Sequence, residues 1–599
     1  MIRPLVLLAI MLAGFAPPAL AQQSARASPP PHALTPDQRA TWRSLFTAIR
    51  TSDWASAHTL LHATPSGVLT DVARAELYLA RGSPRVEASA LVDLLRRAPE
   101  LPQAGQIARL AETRDAENMP SLPDQARLVW QGSQPRRGIP DPVRGSGYAA
   151  LDARIQPLIV ADRPAEAEML FLETRGGLSS EARTEFAQRI ARAYFLIGDD
   201  ASARRLASEA ASGSGEWAVY GSWVAGLAAW RARDCESASR GFGEVASRST
   251  DTELAAAGNY WAARADLACN HPERVQGRLR TAAWAKESFY GLIAASALGL
   301  RAPGFVGAHD YGDGEWRAIA SKSNVRAAIA LVEIGEPGLA DTFIRHQARI
   351  GGAGDHAALL HLAHALDLAG TQFWLAHNAP SGASVNLAAR YPAPDWRPSR
   401  GWRVDRNLVY AHALQESNFR TDVVSPAGAQ GLMQVRPGTA GDIARARGEP
   451  FSRHMLNLPA ANLEFGQTFL ESLRDMSATG GLLPKVIAAY NAGPVPIAAW
   501  NGRRMDRGDP LLYIEAIPYW ETRGYVPIVL RNYWIYEEGA GKVSASRIAL
   551  AQGLWPRFPG MGGATGIRQD PGPPITIWRP QVLPSMSVPQ PPVEVDDSN

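Results

Sequence analysis

A chain of 599 residues exceeds what one hydrophobic core organises, so two or more domains are expected. Hydrophobic residues make up 46% and charged residues 20%, ordinary values for a soluble globular protein. The formal net charge of +3 excludes a polyanion-coating protein, and no nucleic-acid partner is expected.

In chain order, residues 1–21 read as a signal peptide. Met1-Ile2-Arg3 carries the positive charge, Leu5 to Phe15 is apolar, and Ala19-Leu20-Ala21 is a small-x-small cleavage site. A buried N-terminal helix is the competing reading. The apolar run is short for a bilayer, and no later stretch reaches about 18 apolar residues, so stable membrane insertion is not expected. No Cys follows the cleavage site to carry a lipid anchor. An exported protein starting near Gln22 is the expectation.

Residues 22–390 are expected to form an irregular α-solenoid with a helical linker region. Phe186, Ile190, Tyr194 and Ile197 follow a helical stripe that Gly198 stops. Trp223, Leu227 and Trp230 mark another helix, and Trp261, Ala265 and Leu267 a third. Abundant alanine lets helices approach closely while Trp and Leu fill the gaps. A Pro/Gly/Arg-rich stretch from Gly132 to Gly147 interrupts the pattern as a surface loop or boundary. The two cysteines, Cys235 and Cys269, fall in neighbouring helical units, where a disulfide and two buried thiols are both open. Two cysteines alone make a poor metal site. A second break at Tyr391-Pro392-Ala393-Pro394 opens a domain spanning 391–538. Beyond it, 539–599 is read as a Pro-rich, disordered tail.

The chemistry concentrates between Asp405 and Tyr536. Asp405 is a good N-cap for a helix through Leu408, Ala411 and Gln415 to Glu416. A carboxyl at a helix C-terminus feels the partial negative charge of the backbone, and apolar neighbours push the same way. Both effects hold the proton on, as a general acid for glycosidic cleavage requires. In isolation such a Glu is more often a solvated residue.

Four segments change that balance: Gln415-Glu416-Ser417-Asn418-Phe419, Ser425 through Gln434, Ala488-Ala489-Tyr490-Asn491-Ala492-Gly493, and Glu515-Ala516-Ile517-Pro518 through Val526. In this order and spacing the chain closely resembles the soluble lytic murein transglycosylases. The resemblance covers Val404 to Tyr536 and implies an all-α protein, with a lysozyme-like domain of the goose type behind the solenoid. Phe289-Tyr290-Gly291-Leu292 and Leu298-Gly299 look like the linker before that domain. The resemblance makes Glu416 the catalytic acid/base. It makes Ser425 and Tyr490 residues that position the substrate's N-acetyl group, and Gln434 and Asn491 polar groove-lining residues. Glu515 would be a carboxylate beside the site, and Met433 would line the groove or pack in the core. Gly428 and Gly431 permit a tight turn or close approach to the sugar. Arg436 stands where relatives often carry Met, and would either extend into the groove to meet a peptide-stem carboxylate or point to solvent; Pro494-Val495-Pro496 departs from the usual Gly-rich continuation.

By resemblance the substrate is the peptidoglycan glycan strand, met in the periplasm, with wall-synthesis or remodelling proteins as further partners. Glu416 would protonate the bond between N-acetylmuramic acid and N-acetylglucosamine, then deprotonate the C6 hydroxyl to close a 1,6-anhydro ring. No cofactor and no metal are implied. Two alternatives stand beside it: a muramidase, in which water captures the intermediate, and a non-catalytic wall-binding scaffold.

Overall fold

The computed structural model describes residues 32–145, 147–301, 315–383 and 385–570. The leader read at residues 1–21 and the run from 571 lie outside the described residues. The described chain is all-α apart from four short strands.

The helical hairpins between Tyr148–Val160 and Phe289–Ala297 stack side by side because small residues face one another. A Cβ on Gly226 would stand 2.7 Å from the Phe242 ring, and one on Gly258 would stand 2.7 Å from the Ala246 nitrogen. Into the space so defined pack Trp223, Phe242 and Trp261, with Phe242 and Trp261 centroids 5.4 Å apart. Acidic caps start three of these helices: Asp199 accepts from Ser202 N–H, Asp234 from Ser237 and Asp251 from Leu254. Gly198 ends the helix Ser180–Ile197 at φ +89°, the left-handed conformation a glycine adopts at no steric cost. Cys235 and Cys269 are joined in a disulfide across two successive units, their Cα atoms 5.6 Å apart.

The helices preceding this stack pack on those following it. Trp42, Phe46, Leu91 and Leu94 share one core with Val325, Leu331, Phe343 and Leu359, nearly three hundred positions away. The Glu333 carboxylate accepts from Ala33 and Leu34 N–H at 2.6 and 3.2 Å, and Asn324 donates to the Glu100 carbonyl at 2.8 Å. Strand Leu128–Trp130 pairs antiparallel with Asn378–Pro380. The chain therefore closes on itself before the last domain begins.

No sharp core boundary falls at 390. One continuous hydrophobic cluster runs from Leu151 through the stacked hairpins into Phe558. Phe289 stacks on Trp534 at 5.2 Å, and Arg264 pairs with Asp509 at 2.8 Å. Within the C-terminal part, helix Arg406–Ser417 packs against Trp520–Gly539, flanked by Pro459–Asp475 and Leu483–Ala492.

The expectation of a disordered tail from 539 fails for its first thirty residues. Helix Ala545–Ala551 follows, and Trp555–Pro556 pairs with Gly566–Ile567. Trp555 is fully buried, its indole donates to the Gly508 carbonyl at 2.8 Å, and the Lys485 ammonium sits 4.9 Å from its ring. Leu550 and Phe558 complete the anchor. The proline density that suggested disorder begins only at 571. Trp555→Ala should cost about 3–5 kcal/mol in denaturant unfolding, because the buried indole leaves a cavity.

Candidate active site

Helix Arg406–Ser417 begins as the sequence suggests, with Asp405 accepting from Asn407 N–H at 2.8 Å. It stops because Asn418 and Phe419 both adopt left-handed backbone, φ +50° and +62°. Glu416 therefore sits one residue from the helix end. The next segment folds back as a tight hairpin, with bridges from Val424 to Gln430 and from Gln430 to Val435.

The Tyr525 hydroxyl donates to Glu416 Oε1 at 2.5 Å. Burial raises the Glu416 carboxyl to about 7; the Tyr525 hydrogen bond opposes this and the Glu521 charge adds to it. Glu521 and Tyr525 lie one turn apart on helix Trp520–Gly539, so both reach Glu416 from the same face. That i, i+4 pair lay within a quoted motif and was the available signal for two residues not singled out from sequence.

His412 was also missed. It is completely buried one turn before Glu416, with its ring 4.8 Å from Tyr490 and 6.1 Å from Tyr525. Its Nδ1 lies 2.9 Å from the Leu408 carbonyl, and burial pushes it down to about 4, so the imidazole is neutral at neutral pH. A buried histidine on an apolar helix face offers no sequence signal of its own.

The expected substrate residues fall into two groups. Tyr490 and Asn491 lie in the last turn of helix Leu483–Ala492, and Tyr490 is electrostatically coupled to Glu416. Tyr490 donates to the Met433 carbonyl at 2.8 Å, and burial lifts its hydroxyl well above the usual tyrosine range. Asn491 accepts from Thr522 at 2.6 Å and donates to Glu521 at 3.3 Å. Ser425 and Gln434 brace the hairpin. The Ser425 hydroxyl accepts from Ala429 N–H at 3.1 Å, and the Gln434 amide donates to the Val423 and Gly431 carbonyls at 3.1 and 2.8 Å. Arg436 is exposed.

Of the two readings of Met433, core packing holds: its side chain is fully buried, filling the space above Gly466, where a Cβ would meet its sulfur at 2.2 Å. Only its backbone carbonyl serves the site, through Tyr490. Gly431 is likewise required by packing, since a Cβ there would stand 2.1 Å from the Leu456 carbonyl. Glu515, expected as a carboxylate beside the site, is 1% exposed and doubly held. Arg137 grips it with two nitrogens at 2.7 and 3.1 Å, Tyr290 donates at 2.7 Å, and Arg192 donates to its backbone carbonyl. Arg137 holds its carboxylate below the ordinary range against the opposing effect of burial, the largest single influence. The carboxylate coupled to Glu416 is Glu521 instead. Among the described residues no group of His, Cys, Asp and Glu is arranged to hold a metal ion.

Removing Arg137 leaves Glu515 charged and buried without its partner. Arg137→Met should therefore cost about 3–5 kcal/mol by chemical denaturation, and the Arg137→Met/Glu515→Gln pair should recover most of it.

A second expectation follows from Glu416. Its folded value of about 7 exceeds the ordinary 4.5, so the folded protein binds this proton more tightly than the unfolded chain does. Ionisation then penalises folding increasingly as pH rises from about 4.5 to about 7, and constantly above. Glu416→Gln should melt with the parent protein at pH 4 and progressively above it up to neutrality. A melting difference independent of pH would contradict the raised value.

The family described as the transglycosylase SLT domain matches residues 397–512. The chain is 35% identical over 151 residues to the soluble lytic murein transglycosylase of Salmonella typhimurium, covering 25% of this chain and 23% of that protein. It is 36% identical over 136 residues to the protein of the same name from Escherichia coli, covering 22% and 21%. The matched stretch thus spans under a quarter of these curated relatives. At the level of fold, the chain superposes on the 70-kDa soluble lytic transglycosylase of Escherichia coli with a TM-score of 0.51 at 17% identity, covering 87% of this chain and 99% of that one. A complex of the 70-kDa soluble lytic transglycosylase with bulgecin A gives 0.54, again at 17% identity, with coverage of 87% and 99%.

Proposed function

From a chain whose residues 397–512 form a transglycosylase SLT domain, we infer a lytic transglycosylase that cleaves peptidoglycan glycan strands, with Glu416 as both acid and base. The observation that carries the reading is the Glu416 carboxyl at the end of helix Arg406–Ser417, held by the Tyr525 hydroxyl at 2.5 Å. Burial raises it towards about 7, which suits a group that first gives and then retrieves a proton. Burial favours the protonated form, and the Tyr525 hydrogen bond favours the ionised one.

Glu416 donates its proton to the glycosidic oxygen between N-acetylmuramic acid and N-acetylglucosamine, and the bond to the muramic C1 breaks. The acetamido oxygen of the same sugar stabilises the cationic centre, in place of the second carboxylate most glycosidases employ. Ionised Glu416, held by Tyr525, then takes the C6 hydroxyl proton as the C6 oxygen bonds to C1. A 1,6-anhydro ring closes and no water is consumed. Tyr490 and Ser425 position the N-acetyl group, and Gln434 and Asn491 line the groove. The stacked hairpins guide long strands to the site. Export through the 1–21 leader brings the enzyme to its substrate in the periplasm, where wall-remodelling proteins are its natural neighbours; among the described residues no helix is long and apolar enough to cross a membrane.

Purified protein should release muropeptides ending in 1,6-anhydro-N-acetylmuramic acid, one water lighter than hydrolysis products by mass spectrometry. Glu416→Gln should lower turnover by roughly 10²–10⁴-fold, the usual worth of general acid/base catalysis. Reducing-end products would make the protein a muramidase, and a fully active variant would remove Glu416 from the mechanism.

A further inference from the structure

Helix Arg406–Ser417 places His412 one turn before Glu416, with none of its surface exposed. Its Nδ1 lies 2.9 Å from the Leu408 carbonyl, which can only accept, so the ring proton sits on Nδ1 and Nε2 carries a lone pair. Burial pushes the ring down to about 4 against the pull of that hydrogen bond, so it is uncharged at neutral pH. Among the described residues Nε2 is buried without a hydrogen-bond partner. A leucine would fill the same place without that unmet acceptor, so the imidazole contributes something besides bulk.

Its contribution lies in the two rings it touches. The His412 centroid is 4.8 Å from that of Tyr490 and 6.1 Å from that of Tyr525, at interplanar angles of 58° and 59°. Tilted aromatic contacts fix the orientation of a ring as well as its distance. Both tyrosines carry hydroxyls that hold the site together. Tyr525 donates to Glu416 Oε1 at 2.5 Å, and Tyr490 donates to the Met433 carbonyl at 2.8 Å. We propose that His412 is a positioning residue, an aromatic wedge that keeps the Tyr525 hydroxyl on Glu416 and the Tyr490 hydroxyl on the hairpin. The proposal rests on the glycan-cleaving reading above, since it serves the same carboxyl.

The tautomer matters as well. With its N–H spent on Leu408, the ring has no donor left for Glu416. Among the described residues the carboxyl receives its hydrogen bond from Tyr525 alone. A wedge with a free N–H, or a charged one, would stabilise the carboxylate in place of Tyr525 and lower it. The groups that face Glu416 from the elements around it are Tyr525 and Glu521 on helix Trp520–Gly539 and Tyr490 on helix Leu483–Ala492. Tyr525 lowers the carboxyl through its hydrogen bond, whereas the Glu521 charge raises it. Loss of the Tyr525 bond therefore moves Glu416 upward, and a change that only loosens that hydroxyl moves it the same way.

Two measurements on the full-length protein test this. The first needs no substrate. The melting difference between each variant and the same variant carrying Glu416→Gln, followed against pH, reports where Glu416 ionises in the folded chain. Tyr525→Phe should move that point upward by about half a pH unit or more. His412→Leu should move it in the same direction, and the double variant no further than Tyr525→Phe. The second is turnover on glycan strands. His412→Leu should lower kcat about tenfold with KM nearly unchanged. The loss should vanish when Tyr525 is already Phe, because the two act as one unit. His412→Phe keeps an aromatic wedge and should recover most of the activity. Losses that multiply in the double variant, a Glu416 titration unmoved by His412→Leu, or a Phe variant no better than Leu would each overturn the proposal. If the Leu variant does not fold, His412→Phe decides alone: it should titrate and turn over as the parent does, and a displacement in either would count against the wedge. If no strand yields anhydro products, the functional reading fails, while the melting series still decides the role of His412.

Discussion

The hydrogen bond from Tyr525 to the half-buried Glu416 carboxyl joins two packed helices, Arg406–Ser417 and Trp520–Gly539, and the C-terminal domain is arranged around that contact. Burial is the largest influence on Glu416, and the groups that produce it come from separate elements. His412 fills the turn beneath it, Tyr490 closes one side, and Tyr525 closes the other while donating a hydrogen bond. His412 can sit there only as a neutral ring, because a charged imidazole in that apolar setting would lack a counter-ion. The Tyr490 hydroxyl is committed to the Met433 carbonyl, which ties the hairpin following helix Arg406–Ser417 to the helix ending at Ala492. Each contact that dries the carboxyl also fixes the geometry of the loop beside it.

The same logic extends across the domain junction. Helix Pro510–Ala516 carries Glu515 in its last turn, and this carboxylate meets Arg137 and Tyr290, which come from parts of the chain far earlier in sequence. A buried bidentate pair is geometrically specific even where its net stabilisation is small, because desolvation offsets much of the attraction. Its effect here is to set the position of the Pro510–Ala516 helix and of the turn leading to Glu521 and Tyr525. The stretch bearing Arg137 is itself pinned at both ends. The Gln131 carbonyl accepts from Arg390, and Tyr220 donates to the Gly138 carbonyl. The stacked hairpins thereby hold the stretch bearing Arg137 against the C-terminal domain.

Closure of the chain on itself serves that rigidity. Packing of Trp42 and Phe46 with Val325 and Phe343 joins the two ends of the helical region into one core. The segment entering the last domain is then anchored, with Arg390 and Tyr391 both bonded to Glu287. Burial on both sides of the junction fixes how the helical region and the C-terminal domain meet.

Local features were legible in the residues alone. The stripe Phe186–Ile190–Tyr194–Ile197, its glycine stop and the Asp405 cap follow from helical periodicity and backbone chemistry, which are properties of neighbouring positions. The same locality placed Glu416 near a helix end. The sequence alone could not say whether Met433 faces sugar or core, because Gly466 decides that from another helix. Nor could it separate Glu515 from Glu521. They are six positions apart in one motif, but one is bound by Arg137 and buried, while the other is exposed and raises Glu416. The tail was misjudged at 539 for a related reason: Trp555 finds its partners at Gly508 and Lys485. Sequence determined the helices, their ends and the place of Glu416 on one of them. Partners hundreds of residues apart decided which polar groups stay dry and which stay free, because desolvation depends on every neighbour in space and not on those adjacent in the chain.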